Sequence, residues 1–312
     1  MEEIIGHENI WAYFSQVIER GAISHAYCFV GPEQVGKKCL ARKLAANLLS
    51  CAEEKLEVNP DFFFVTRLFE EKTEKTKKDI TVAQMRDLRQ VLSRHSFLGG
   101  YKVAIIEGAE DLNAEAANAL LKTLEEPTEK TVIILLTNDE TFLPETIRSR
   151  CQSIFFQPVA KDKIVAWLKS QGADLALAGI SRGLPGQAKT WQADNEVYLA
   201  YSREVERFFS LWQKPFYQKL KLVEDLFGDK TDNVKARDHW QSILAIWQML
   251  VRDGLLVSLG KTEWCVHPTA RSLPLTEIGL VNLEKAVVAA KEQMQENIHP
   301  RLLIENLLLI LP

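Results

Sequence analysis

The sequence predicts a parallel α/β module followed by a wholly helical remainder. Three observations carry that reading. Short apolar runs recur through the first half at Ala26–Val30, Asp61–Val65, Val103–Glu107 and Thr131–Thr137. Runs without polar alternation suit strands covered on both faces. Between the last two runs, Ala117, Leu120, Leu121 and Leu124 recur at i, i+3, i+4 and i+7, one helical stripe. Strand, helix and strand in that order form a right-handed crossover in a parallel sheet. Beyond Pro158 the strand-like runs stop and only helical stripes remain.

Taken in order, Ile10, Phe14, Val17 and Ile18 mark a helix over about residues 4–20, ahead of the strand at Ala26–Val30. A second helix follows through Leu40, Leu44 and Leu48. The stretch from Glu70 to Asp79 mixes both charges without an apolar anchor and reads as a mobile, solvated loop. Thr81 and Gln84 are spaced as a capping box for a helix whose stripe is Met85, Leu88 and Leu92. Gly99-Gly100 turns the chain into the strand ending at Glu107. Asn113 is placed as an N-cap, with Glu115 in the first turn, and Pro127 stops that helix. In sheets of this kind chemistry gathers beyond the carboxyl ends of the strands, which singles out Glu107, Gly108, Thr137 and Asn138.

The helical remainder begins with Ile164, Trp167 and Leu168 on a helix over residues 161–170. A short second helix follows, and Ser181–Gly186 turns into a third around residues 188–191, together a small lid. Two longer stripes come later, Trp240, Ile243, Leu244, Trp247, Leu250 and Val251, then Leu283, Ala286, Val287, Ala290 and Met294. Residues 302–311 are apolar nearly all round, as a helix buried in a bundle or between subunits would be. Six of the seven tryptophans follow residue 160, where core packing and an interface are both open readings. The length of 312 residues exceeds what one core usually supports. The expected division is an α/β domain over 1–158, a lid over 159–205 and a helical domain over 206–312.

Composition narrows the function. Hydrophobic content of 46% and charged content of 26% describe an ordinary globular chain, and no apolar run is long enough to span a bilayer. The acidic start at Glu2-Glu3 is unlike a signal peptide, so a cytoplasmic location is expected. Five scattered cysteines fit reduced thiols. A net charge of -4 argues against a protein whose own task is gripping phosphate backbones.

The first strand feeds into Gly31-Pro-Glu-Gln-Val-Gly36-Lys37-Lys38 and a helix. Strand, glycine-bounded loop, Gly-Lys and helix is the layout of a phosphate-binding P-loop. Gly31, Gly36 and Lys37 are its candidate nucleotide-binding residues. The chemistry also needs a hydroxyl on the magnesium, and that position is Lys38. The loop therefore reads either as a vestigial P-loop or as a bland turn with surface lysines.

The order His25-Ala-Tyr-Cys-Phe-Val-Gly-Pro, Ala117-Asn-Ala-Leu-Leu-Lys-Thr-Leu-Glu-Glu-Pro127 and Ile147-Arg-Ser-Arg-Cys151 strongly resembles the bacterial clamp-loader subunits. These are AAA+ proteins of the DNA polymerase III holoenzyme, related to replication factor C. The resemblance covers about the first 190 residues by motif. It implies an α/β AAA+ module with a RecA-like parallel sheet, a small helical lid and an all-α C-terminal collar. It also implies a hetero-pentamer with motor (gamma/tau) and delta subunits, acting on a sliding clamp and primer-template DNA, with no membrane partner.

Departures from the motor pattern side with the delta-prime branch. Gln34 stands at the motor's second P-loop glycine, where a positive backbone angle costs a side chain energy. Lys38 replaces the magnesium hydroxyl, and Glu107-Gly108 replaces the Asp-Glu pair that completes the metal shell and orients water. Phosphoryl transfer depends on those positions, so no hydrolysis by this chain is expected. ATP and magnesium would belong to the neighbouring motor. Arg150, with Ser149 and Cys151, would supply that site with an arginine finger in trans. Many members carry a four-cysteine zinc site after the P-loop helix; here only Cys51 is present, so no metal is expected. Arg182 falls where related ATPases place a second sensing arginine, or else it forms a simple turn. Two further readings are a motor-type ATPase with a degenerate P-loop and a non-catalytic DNA-binding module.

Overall fold

The computed structural model describes residues 4–70, 75–227, 233–267, 273–295 and 298–311. They fall into two compact units, residues 1–70 with 76–190 and residues 71–75 with 191–312. In chain order the first unit gives α1 (Glu8–Glu19), β1 (Ala26–Val30), α2 (Lys37–Leu48), β2 (Phe62–Val65), β3 (Phe69–Glu70) and, from Thr76 on, β4 (Lys75–Thr76). There follow α3 (Val82–Leu92), β5 (Lys102–Glu107), α4 (Ala114–Glu125), β6 (Thr131–Thr137), α5 (Glu145–Arg148) and β7 (Gln152–Phe155). The lid helices are α6 (Lys161–Ser170), α7 (Leu177–Ile180) and α8 (Pro185–Ala193), with the first unit ending at Thr190.

Five strands form one sheet in the order β2-β5-β6-β1-β7, every neighbouring pair parallel. Period-2 alternation sorts its side chains onto two cores. Tyr27, Phe29, Ile105 and Ile134 face α1 and α2, where Phe14, Leu40 and Leu44 meet them. Ala26, Cys28, Ala104, Ile106 and Ile133 face α3 and α4 through Met85, Leu88, Leu120 and Leu124. Both faces are covered, which is why the strands read as unbroken apolar runs. β1 lies between β6 and β7, so strand order reverses beside it and opens a crevice at its carboxyl end.

The caps form as the sequence predicts. Thr81 and Gln84 close a capping box on α3, and Asn113 Oδ1 accepts the Ala116 amide at 2.8 Å to start α4. Several boundaries differ from expectation. α1 begins at Glu8 because His7 and Gly6 take left-handed angles, φ 60° and 77°. β7 is an additional edge strand, pairing with β1 from Tyr27↔Gln152 to Val30↔Phe155. The charged stretch predicted as a mobile loop carries β3 and β4, a two-stranded ribbon; its residues 71–74 lie outside the described ones. Pro185 and Gly186 belong to α8 itself, proline suiting a first helical turn.

The second unit contains α9 (Asn195–Ser210), α10 (Phe216–Val223), α11 (Asn233–Ser258), α12 (Glu277–Gln295) and α13 (Pro300–Ile310). Its core is aromatic: Phe208, Trp240 and Trp247 are fully buried, with Trp247 5.6 Å from Phe208 and 6.2 Å from Trp240 between ring centroids. Buried Glu204 accepts from Trp247 Nε1 at 2.8 Å and from Arg207 at 2.7 Å. Buried Lys219 donates to the carbonyls of Leu308 and Leu311, capping the end of α13 where the helix dipole is negative. On α13, Leu303, Ile304, Leu307 and Leu308 are buried while Leu302, Leu309 and Ile310 are exposed. Among the described residues no helix is long and apolar enough to cross a membrane.

Candidate functional site

The P-loop joins β1 to α2 at the crevice, and every part of it is held by this chain's own groups. Gly31 passes so close to β7 that a Cβ would sit 2.4 Å from the Phe156 carbonyl oxygen. Gly36, at φ 118°, caps α2. Lys37 is buried, and its ammonium donates to the carbonyls of Gly31 and Pro32 and to Asn138 Oδ1 at 3.0 Å. Burial lowers its pKa, and Glu110, Glu33 and Glu107 pull in the opposite direction. Asn138 in turn donates through its side chain to Glu33 and through its amide to Glu110, each at 3.1 Å.

The cation position of an active P-loop is also occupied by protein charge. Lys38 Nζ lies 2.8 Å from Glu107 Oε2 and 4.7 Å from the Phe64 ring centroid. Gly108 stands at φ 70°, and a Cβ there would be 2.7 Å from Asp111 Oδ2. Lys38 offers no hydroxyl and Gly108 no carboxylate, so these two positions do not fit a catalytic magnesium–nucleotide site. The lid closes over the same loop: the Gly186 amide donates to the Gln34 carbonyl at 2.8 Å. Gln34 adopts φ 59°, the left-handed angle that sequence reading marked as costly for a side chain. Arg182 is exposed at φ 53° in a turn whose Gly183 packs on Pro158 and Val159. Gly186 is the lid residue bonded to the P-loop.

Sequence reading passed over His7. It is buried beneath the loop, its Nε2 3.0 Å from the Val35 carbonyl oxygen and its ring edge-on to Phe156. Burial lowers its pKa, with the Val35 carbonyl acting against that. A lone histidine two residues after a strand-free start carries no spacing signal, so only the fold reveals it.

The second cluster lies after α5. Ile147 is fully buried, and Cys151 packs against the core on the α3–α4 side of the sheet, its thiol pushed up to about 12 by burial. These two anchors turn Ser149 outward and leave the Arg150 guanidinium at the surface. Arg150 Nη2 lies 2.8 Å from Glu125 Oε1 at the end of α4, and Nη1 donates to the Thr146 carbonyl at 2.9 Å and Ser149 Oγ at 3.3 Å. Glu125 was not singled out from sequence. A signal existed: two adjacent carboxylates at the negative end of a helix call for a nearby cation. Five free cysteines are spread through the chain, and no group of His, Cys, Asp or Glu among the described residues could hold a metal.

This strand order, the P-loop at the end of the inner strand and the helical lid define an AAA+ module whose P-loop lysines are bonded to the chain's own groups. A family model described as "DNA polymerase III, delta subunit" matches residues 6–160. DNA polymerase III subunit delta' of Pseudomonas aeruginosa is 39% identical over 154 residues, 45% of this chain and 45% of that one. The Bacillus subtilis subunit delta' is 25% identical over 94% of this chain and 92% of its own. Subunit tau of Bacillus subtilis is 31% identical over 53% of this chain and 30% of its own. The matched segment thus spans about half of the Pseudomonas relative and nearly all of the Bacillus delta'. The chain belongs to the delta-prime family of DNA polymerase III clamp-loader subunits, related to gamma and tau.

Proposed function

We propose that this chain works as the non-hydrolysing member of a clamp loader, lending Arg150 to the ATP site of a neighbouring gamma/tau motor. The observation that carries the reading is a division of labour within one module. The P-loop lysines are bonded to groups of their own module, whereas Arg150 lies half-exposed on a turn held by buried Ile147 and half-buried Cys151, with only an exposed pair to Glu125 between it and a neighbour. A planar guanidinium delivered from outside spreads charge over the oxygens of a phosphoryl group as it transfers. ATP and its magnesium reside in the motor; this chain's P-loop is vestigial.

The helical second unit serves as the collar, and the exposed Leu302, Leu309 and Ile310 on α13 are suited to burial in a permanent interface. The assembly, a hetero-pentamer with motor and delta subunits, would open a sliding clamp and place it on primer-template DNA in the cytoplasm. The test is DNA- and clamp-stimulated ATP turnover of a loader reconstituted with its cognate motor subunits, with this chain intact or carrying Arg150→Ala, and assembly verified by gel filtration. A loss of at least about a hundredfold in kcat with assembly intact is expected. Unchanged turnover removes Arg150 from the mechanism.

A further inference from the structure

We infer that Glu125 is a latch for Arg150: it holds the guanidinium on its own subunit and must release it before the arginine can reach a phosphate on a neighbour. The inference rests on the trans arginine reading above and names the residue that sets its readiness.

Three features of the pair support a latch over a fixed bracket. The contact is made by Glu125 Oε1 and Arg150 Nη2 at 2.8 Å, at the surface, where both side chains keep water, 48% and 36% exposed. Exposed pairs of this kind are weak and break readily. The contact is also electrostatically incompatible with the delivered state. A carboxylate 2.8 Å from the guanidinium stays within a few ångströms of any phosphate the same guanidinium engages, and like charges that close repel. Finally, the arginine has an independent foothold. Nη1 donates to the Thr146 carbonyl and to Ser149 Oγ, both on its own turn, so releasing Glu125 does not leave the side chain unguided. A guanidinium has five N–H donors, and the Nε proton and one Nη2 proton are not used by these contacts. Glu125 is thus a positioning residue that acts through Arg150.

Glu125 is the last residue of α4, so Glu125→Gln keeps the side chain's shape and removes only its charge at a half-exposed position. In the reconstituted loader this variant should lower the ATP concentration for half-maximal turnover by about two- to fivefold, the range set by ion pairs of this exposure. Glu125→Ala should do the same. A half-saturating ATP concentration that is unchanged or raised in both variants overturns the latch. A merely structural role would change assembly or kcat without lowering that concentration.

A second measurement reads the pair on the full chain by itself. The rate at which phenylglyoxal modifies Arg150, followed by peptide mass spectrometry, should rise by about two- to fivefold in Glu125→Gln. No change there means the pair does not hold the arginine, and the proposal falls. Arg150→Ala separates the two levels: if it leaves turnover intact, the trans arginine itself fails. If it abolishes turnover while Glu125→Gln leaves ATP dependence untouched, only the latch fails.

Discussion

Lys38 and Glu107 form an ion pair at 2.8 Å in the position where an active P-loop module assembles hydroxyl, carboxylate and magnesium. One substitution, a lysine for a hydroxyl residue, supplies an internal cation and ties down the carboxylate that a metal would use. Lys38→Thr frees Glu107 and restores the hydroxyl. Affinity for magnesium–nucleotide should rise by about tenfold, roughly 1.4 kcal/mol, in titrations with a fluorescent ATP analogue. ATP turnover by the same variant should remain at background, because Gly108 has no side chain to orient water. Measurable hydrolysis would refute the account of Gly108.

Gln34 and Gly186 meet where the lid touches the P-loop, and their strains are opposite. Gln34 bears a left-handed angle that costs a side chain about 1–2 kcal/mol, partly offset by the greater unfolded freedom of glycine. Gln34→Gly should therefore stabilise the chain by up to about 1 kcal/mol in urea unfolding. Gly186→Ala places a Cβ 2.7 Å from the Gln34 carbonyl oxygen and should destabilise by about 1–3 kcal/mol. Equal and small effects of the two would contradict the lid contact.

Asp61 is nearly fully buried, and it receives the amides of Phe97 at 2.7 Å and Leu98 at 2.9 Å and the Ser96 hydroxyl at 2.9 Å. Burial alone would raise its pKa; the three donors outweigh burial and hold it below the usual range. A depressed folded pKa contributes stability that is present above the unfolded value of about 3.9 and lost as pH falls through the folded one. Asp61→Asn should cost about 1–3 kcal/mol at neutral pH and flatten the acid limb of the stability profile. An unchanged acid limb would show that another carboxylate controls it.

Glu204 behaves in the opposite sense. Burial raises its pKa, while Trp247 and Arg207 pull it back. Removing the cation by Arg207→Met strands a buried carboxylate and should cost about 3–5 kcal/mol at pH 8. A raised folded pKa gives stability that is complete below the unfolded carboxylate value and lost as pH rises through the folded one. The deficit of Arg207→Met should accordingly shrink on acidification toward about pH 4.3, as Glu204 takes up a proton. A deficit independent of pH would place the loss in packing instead.

What the sequence revealed follows the physics of each element. β1, β5 and β6 were legible because both their faces are buried, and α3 and α4 because their caps are local. β7 was not, since Gln152 and Phe155 are exposed on an edge and its pairing with β1 is long-range. The β3–β4 ribbon is charged and lacks the apolar alternation that announces a strand. In the site, Gly31, Gly36 and Lys37 were marked by their spacing, and Arg150 with Ser149 and Cys151 by the family resemblance. The pairings were not: Asn138, singled out at a strand end, lies 101 positions from Lys37, and Glu125 lies on a different helix from Arg150. Motifs encode which groups are present, and only the fold decides which of them neutralise one another.

The carbonyls of Gly31 and Pro32 around the Lys37 ammonium have a consequence for the cycle of the assembly. A ligand moves a conformational equilibrium only by binding one state better than another. A lysine already bonded to the Gly31 and Pro32 carbonyls must give up those bonds before its ammonium can engage a phosphate. On the reading proposed above, the subunit would keep one shape while neighbouring motor subunits alternate between theirs, and the motion of the machine would be measured from a part that does not keep time with ATP.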